Sequence, residues 1–186
     1  EVCVGAVLTQ NTAWTGVQKA MANLDAAGCL EPRALYALPQ ARLEELIVPA
    51  GFFRLKAKRL RNLLDYLGRA CGFDLSALAA RDMDAVRAEL LEVKGVGPET
   101  ADSILCYALN MPSFVVDAYT MRILGRHGLL PEDAHYHEAR DFFMDALEPD
   151  TALYNDFHAQ LVRVGNRFCK PRKPLCDDCP LGCFLS

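Results

Sequence analysis

The sequence predicts an all-α protein, long enough for one domain or for two small ones. Apolar residues recur at helical spacing through most of the chain. Asp, Pro and Gly stand where such helices would begin and end. The one strand-like run, Phe114-Val115-Val116, is too short to need a sheet. At 186 residues the chain can bury a sizeable core.

The elements follow in order. The chain opens inside an apolar segment, Val2 to Leu8, so natural sequence is expected to precede it. Thr12 is placed to cap a helix that carries Val17, Ala20, Met21 and Leu24 on one face, with Gly28 past its end. Residues 56–70 are amphipathic through Leu60, Leu63, Leu64 and Leu67, and Gly72 follows. Asp82 caps a helix over 83–91, and Pro98 opens another that runs to about 110. Helices over 118–127, 137–147 and 151–166 complete the set. After Arg167 the composition changes, with Pro171, Pro174 and Pro180 between cysteines, which reads as a loop held by metal.

Composition excludes some classes. No apolar run approaches the roughly 20 residues needed to span a bilayer, and no export signal is visible, so a reduced cytoplasmic protein without a membrane partner is expected. The net charge of −4 argues weakly against a nucleic-acid partner, but binding follows local potential. Arg163, Arg167, Lys170, Arg172 and Lys173 share one acid-free stretch, and Lys56, Lys58, Arg59 and Arg61 form a second basic group. A solvated helix face or loop accounts for either group alone. Of the eight cysteines, Cys3, Cys29, Cys71 and Cys106 are scattered, mostly in apolar helical patterns where a free thiol acts as a small hydrophobe.

Val93-Lys94-Gly95-Val96-Gly97 joins two of the predicted helices. Its glycines permit dihedrals that a β-carbon would obstruct, and they expose N–H groups at the start of the next helix, where the dipole favours an anion. A DNA phosphate could approach closely there, although a plain tight turn has the same pattern.

The run from Leu90 through Gly95-Val96-Gly97-Pro98-Glu99-Thr100 to Val115-Val116-Asp117 resembles the helix-hairpin-helix and downstream aspartate of the endonuclease III superfamily of DNA glycosylases. Gly5-Ala6-Val7-Leu8-Thr9-Gln10-Asn11-Thr12 is similar to that superfamily's early apolar helix and its glutamine-containing DNA-probing turn. Gly51-Phe52-Phe53 with Lys56-Ala57-Lys58 matches another of its recurrent stretches. The resemblance covers essentially the whole chain and implies base excision from double-stranded DNA containing damaged bases, by a monomer associated with the nucleoid. It implies one domain over residues 1–111 and another over 112–186, with the active site in the cleft between them. DNA contacts would come from Gln10, Asn11, Gly95, Val96, Gly97 and Thr100.

The family's chemistry breaks an N-glycosidic bond after the nucleotide is flipped out of the stack. Positive charge builds on the sugar as that bond breaks, and a fixed carboxylate stabilises it and can orient or deprotonate a water. Asp117 stands at the family's aspartate position; without the resemblance it would read as a helix N-cap. Bifunctional members carry a lysine just beyond the hairpin, whose amine forms a Schiff base. Here that position is Glu99, so the resemblance implies a monofunctional glycosylase. Two carboxylates in one pocket suit a cationic base, and the strings 5–12 and 101–108 look most like the 3-methyladenine branch. Trp14, Phe52, Phe53 and Tyr119 are candidates to stack on that base, Trp14 foremost, although each taken alone reads better as core than as pocket.

Cys169, Cys176, Cys179 and Cys183 give the spacing C-x6-C-x2-C-x3-C. Four thiolates so close can hold zinc or a [4Fe–4S] cluster, and spacing alone does not choose. The resemblance implies [4Fe–4S], although the family's last gap is C-x5-C, which leaves Cys183 and zinc open. The cluster would pin a loop whose Lys170, Arg172 and Lys173 meet phosphates. Two other functions compete: a bifunctional glycosylase and abasic-site lyase on oxidised pyrimidines, and a catalytically silent helix-hairpin-helix DNA-binding module.

Overall fold

The apolar spacing becomes eleven α-helices and two 3-10 turns in the computed structural model, which describes residues 1–131 and 133–185. No strand occurs among the described residues, and no helix there is long and apolar enough to cross a membrane. The chain divides into two compact units, Glu1–Leu109 and Asn110–Ser186.

The first unit is organised around a 19-residue helix. Its elements are α1 (Val2–Leu8), α2 (Trp14–Ala26), α3 (Pro32–Ala37), α4 (Gln40–Leu46), a 3-10 turn (Val48–Ala50), α5 (Phe53–Cys71), α6 (Leu75–Ala79), α7 (Met83–Glu92) and α8 (Pro98–Leu109). Helix α5 buries Ala57, Leu60, Leu63, Leu64 and Leu67 on one stripe, and α1, α3, α4 and α6 pack on it. Helices α3, α4 and α6 were not anticipated from the sequence. They have six, seven and five residues, too short for periodicity to register, and Glu31 and Asp74 cap α3 and α6. Asp82 does cap α7, accepting from the Ala85 amide at 2.9 Å.

Two expectations are corrected here. Thr12 does not cap α2; Ala13 occupies that position, and the Thr12 hydroxyl donates to the Ala50 carbonyl at 2.6 Å instead. Lys56 is not on a solvated face. It is 1% exposed, and its ammonium donates to the Leu8 and Ala50 carbonyls, at 2.6 and 2.7 Å, and to the Thr12 hydroxyl. Burial, and then the neighbouring Arg59, hold its pKa below the ordinary lysine value. Lys56 thereby ties the ends of α1 and the 3-10 turn to α5, in the place where water would otherwise satisfy those carbonyls.

The second unit contains α9 (Ala118–Arg126), α10 (Tyr136–Ala146), α11 (Thr151–Arg167) and a final 3-10 turn (Gly182–Phe184). Phe114, Val115 and Val116 run extended and buried ahead of α9. Phe114 stacks on Phe143 at 4.1 Å and meets Tyr154 and Phe157 edge-on, so this segment is the core of the unit. Helices α9 and α11 pack tightly because residue 165 is glycine: a β-carbon there would lie 2.5 Å from Tyr119 Cβ.

Candidate functional site

The hairpin between α7 and α8 is held from both sides. Gly95 has φ +100°, and a β-carbon on it would collide with the Arg59 side chain, so glycine is required there on two counts. Gly97 differs from expectation: its φ is not positive, and a β-carbon would meet nothing within 4 Å. Its value lies in the open space beside the first amides of α8, not in its dihedrals. Val96 points inward and is buried. Asp102, fully buried on α8, takes a bidentate pair of hydrogen bonds from Arg87 on α7, at 2.8 and 3.0 Å, which fixes the angle between the two helices.

Gln10 is part of the same assembly. Its amide nitrogen donates to the Gly95 carbonyl at 3.1 Å and to the Thr100 hydroxyl at 2.9 Å, while its carbonyl oxygen accepts from Arg59. Thr100 is buried, at 5% exposure, so its hydroxyl is committed within the protein. Asn11, next to Gln10, is exposed in a left-handed conformation with φ 51°. The turn at 9–12 and the hairpin are therefore one rigid surface. The second basic group turns out to be largely structural: besides Lys56 and Arg59, Arg61 donates to carbonyls at the end of α3.

The aromatic candidates separate by exposure. Trp14 at the start of α2 is 59% exposed and Phe52 is 70% exposed. Phe53 lies under the Arg54 guanidinium at 5.4 Å. Tyr119 is packed against Gly165 and covered by Arg122 at 5.2 Å from its ring centre, so it serves as the spacer between α9 and α11. Glu99 is exposed in the first turn of α8, where a carboxylate also suits the helix dipole.

Asp117 is the N-cap of α9 and something more. One carboxylate oxygen, Oδ1, accepts from the Thr120 amide at 2.8 Å and the Thr120 hydroxyl at 2.9 Å. The other, Oδ2, lies 3.7 Å from His158 Nε2 on α11. Burial pushes the Asp117 pKa up, but His158 and the two Thr120 donors outweigh it, and the carboxyl sits below the ordinary aspartate value. It is a carboxylate at neutral pH, with Oδ1 hydrogen-bonded and Oδ2 facing His158. His158 was missed by sequence reading, yet it had a signal: Tyr154, His158, Leu161 and Gly165 follow helical spacing along the inner face of α11.

Cys169 is buried, Cys176 and Cys179 are half-buried, and Cys183 is exposed. Among the described residues no group of three or more His, Cys, Asp or Glu is gathered closely enough to hold a metal ion. The donor set nevertheless fits an iron–sulfur group. The Cys169 sulfur accepts from Arg126 at 3.0 Å, a cationic partner suited to a thiolate, and Arg122 holds the Cys169 carbonyl at 2.7 Å. The loop turns tightly, with the Cys179 amide on the Cys176 carbonyl at 3.1 Å and the Gly182 amide on the Cys179 carbonyl at 2.8 Å. Lys170, Arg172 and Lys173 are exposed on this loop, and the Lys170 ammonium donates back to the Asn166 carbonyl.

The chain matches known proteins in sequence and in fold. Residues 4–149 match the HhH-GPD superfamily of base excision DNA repair proteins, and residues 169–182 match the iron–sulfur binding domain of endonuclease III, stopping one residue short of Cys183. The chain is 46% identical over 183 residues to a protein of Methanocaldococcus jannaschii assigned by name to the DNA repair glycosylases, covering 97% of this chain and 82% of that one. The H. pylori 3-methyladenine DNA glycosylase bound to 1,N6-ethenoadenine has a TM-score of 0.77 at 31% identity, over 89% of this chain and 84% of that one. A trapped endonuclease III–DNA covalent intermediate has a TM-score of 0.81 at 25% identity, over 97% and 80% of the two chains. The chain belongs to the HhH-GPD superfamily of base excision DNA repair proteins, as a DNA glycosylase with an iron–sulfur binding segment at its C-terminal end.

Proposed function

We propose that this enzyme is a monofunctional glycosylase that hydrolyses the N-glycosidic bond of an alkylated purine such as 3-methyladenine. The observation that carries the reading is Glu99. The first turn of α8, Pro98-Glu99-Thr100-Ala101, holds no amine where bifunctional relatives place the Schiff-base lysine. A carboxylate there cannot form the covalent intermediate, and it favours a base that arrives as a cation. The likeness to the H. pylori 3-methyladenine glycosylase supports the same substrate class.

Asp117 is the reacting carboxylate in this reading. An alkylated purine is already cationic, so its departure needs little acid catalysis, and the demand falls on the sugar. A carboxylate held ionised and part-buried stabilises the growing sugar cation far more than one in water. The same group orients the attacking water and takes up its proton. The amides at the start of α8, together with Asn11, Lys170, Arg172 and Lys173, hold the phosphate backbone, and the exposed Trp14 is the candidate for stacking on the base. Cys169, Cys176, Cys179 and Cys183 would hold a [4Fe–4S] cluster, whose contribution is to fix the basic loop. The enzyme works as a monomer on double-stranded DNA.

The test is a release assay on duplexes bearing 3-methyladenine or an oxidised pyrimidine, with the wild type and Glu99→Gln. The reading requires free 3-methyladenine from the wild type and little oxidised pyrimidine. It also requires Glu99→Gln to slow 3-methyladenine release by about tenfold, the size of one lost charge interaction. Preferential release of oxidised pyrimidine would reverse the assignment.

A further inference from the structure

The cap on Asp117 accounts for only one of its two oxygens. Both Thr120 donors fall on Oδ1, which leaves Oδ2 turned away from the helix start and toward His158. We propose that His158 is a positioning residue for base release, fixing the second oxygen of the Asp117 carboxylate so that the group presents one orientation to the sugar. This rests on the reading of Asp117 as the reacting carboxylate.

The geometry behind the pairing is set by backbone. His158 and Gly165 lie on the same face of α11, two turns apart, and Tyr119 of α9 packs against Gly165. With Tyr119 seated on Gly165, the start of α9 cannot slide along α11, and the Asp117–His158 separation follows. The two side chains are 14% and 15% exposed, so the contact is shielded from solvent and salt. At 3.7 Å it is an electrostatic contact longer than a hydrogen bond, and catalytic contacts of this kind commonly tighten when substrate binds.

Several charges on the packed elements have partners of their own. Arg122 and Arg126 on α9 donate to the Cys169 carbonyl and sulfur respectively. On α11, Asp156 and Arg163 are exposed and meet Gln160. On α10, Arg140 donates to the buried Ser113 hydroxyl and reaches Asp141. Thr120 and His158 meet the carboxylate, and of these two only His158 can carry charge.

The experiment has two readouts on the full chain. The first is a carboxyl-carbon NMR titration of Asp117, assigned by difference from Asp117→Asn, in the wild type and His158→Ala. The titration is expected to lie below the ordinary aspartate value in the wild type and to move up in His158→Ala. The second is single-turnover base release from duplex DNA methylated with dimethyl sulfate. His158→Ala should be slower by about tenfold, with affinity for a tetrahydrofuran-site duplex within about twofold of wild type, and His158→Gln should recover part of the rate. An unmoved titration, or a moved titration with wild-type rate, overturns the proposal. Undiminished release by Asp117→Asn would instead refute the reading of Asp117, and the titration still reports whether the pair exists.

Discussion

Gln10 and Gly95 are joined by a hydrogen bond of 3.1 Å that spans 85 residues of sequence. It ties the turn after α1 to the hairpin before α8, and the bonds from Gln10 to Thr100 and from Arg59 to Gln10 make the tie a small network. Two segments that resemble DNA-contacting elements are thus presented as a single surface. Removing Gln10 leaves the buried Thr100 hydroxyl and the Gly95 carbonyl without this donor. Gln10→Ala is expected to lower stability by about 1–2 kcal/mol in urea unfolding. It should also weaken binding to undamaged duplex several-fold without changing the salt slope, because no phosphate-contacting cation is lost. A reduced slope would show that the network also positions basic side chains.

Gly165 offers a test of how α9 is held. A methyl group at this position would sit 2.5 Å from Tyr119 Cβ, so Gly165→Ala must push the helices apart. Overpacking of this kind costs about 1–3 kcal/mol. The separation should also slow base release, since it moves Asp117 away from His158. Pairing Gly165→Ala with Tyr119→Gly removes the clash, and the double variant should be more stable than the sum of the single effects implies, a coupling that thermal unfolding of the four proteins would measure.

The depressed pKa of Asp117 makes a prediction about stability and pH. Its carboxylate is favoured in the folded state, so the stabilisation is fully present above its unfolded value of 3.8. It is lost as pH falls through the lower folded value. Asp117→Asn keeps an acceptor for the Thr120 amide and loses the charge. The stability gap between wild type and Asp117→Asn should therefore be constant from about pH 6 to pH 5, then close as pH drops below the unfolded aspartate range. Chemical denaturation at a series of pH values would check this; a gap that widened toward acid would mean the folded pKa is raised.

The cysteine loop yields a metal prediction. The purified protein should contain about four irons per chain and show a visible thiolate–iron band. Replacing Cys169, Cys176 or Cys179 with serine should abolish both. Cys183→Ser is the informative variant, because the match to the iron–sulfur binding domain ends at residue 182. Equal loss of iron would make Cys183 the fourth ligand despite its short spacing. A colourless protein with one zinc would remove iron–sulfur chemistry from the account.

Much of this architecture was legible before any coordinates. Helices α5, α7, α8 and α11 declared themselves through apolar residues at helical spacing, and α7 and α8 also through Asp82 and Pro98 at their starts. Asp117 stood out through the hairpin upstream of it. What stayed hidden was contact between residues distant in sequence. Lys56 read as one of several surface cations because nothing local shows that the Leu8 and Ala50 carbonyls converge on it. Gln10 read as a free probe because its partners lie at 59, 95 and 100. His158 was recoverable from its place on the inner stripe of α11, but its pairing with Asp117 depends on a helix crossing that Gly165 alone permits.

The central claim is that the enzyme removes a base by hydrolysis, with Asp117 and without an amine nucleophile. Borohydride reduction during incubation with abasic-site duplex tests it most directly, since only a Schiff base is trapped as a stable protein–DNA adduct. No adduct is expected, and the abasic strand should stay intact until alkali is added. A covalent adduct, with strand cleavage in the absence of alkali, would contradict it and place a lysine of this chain at the sugar.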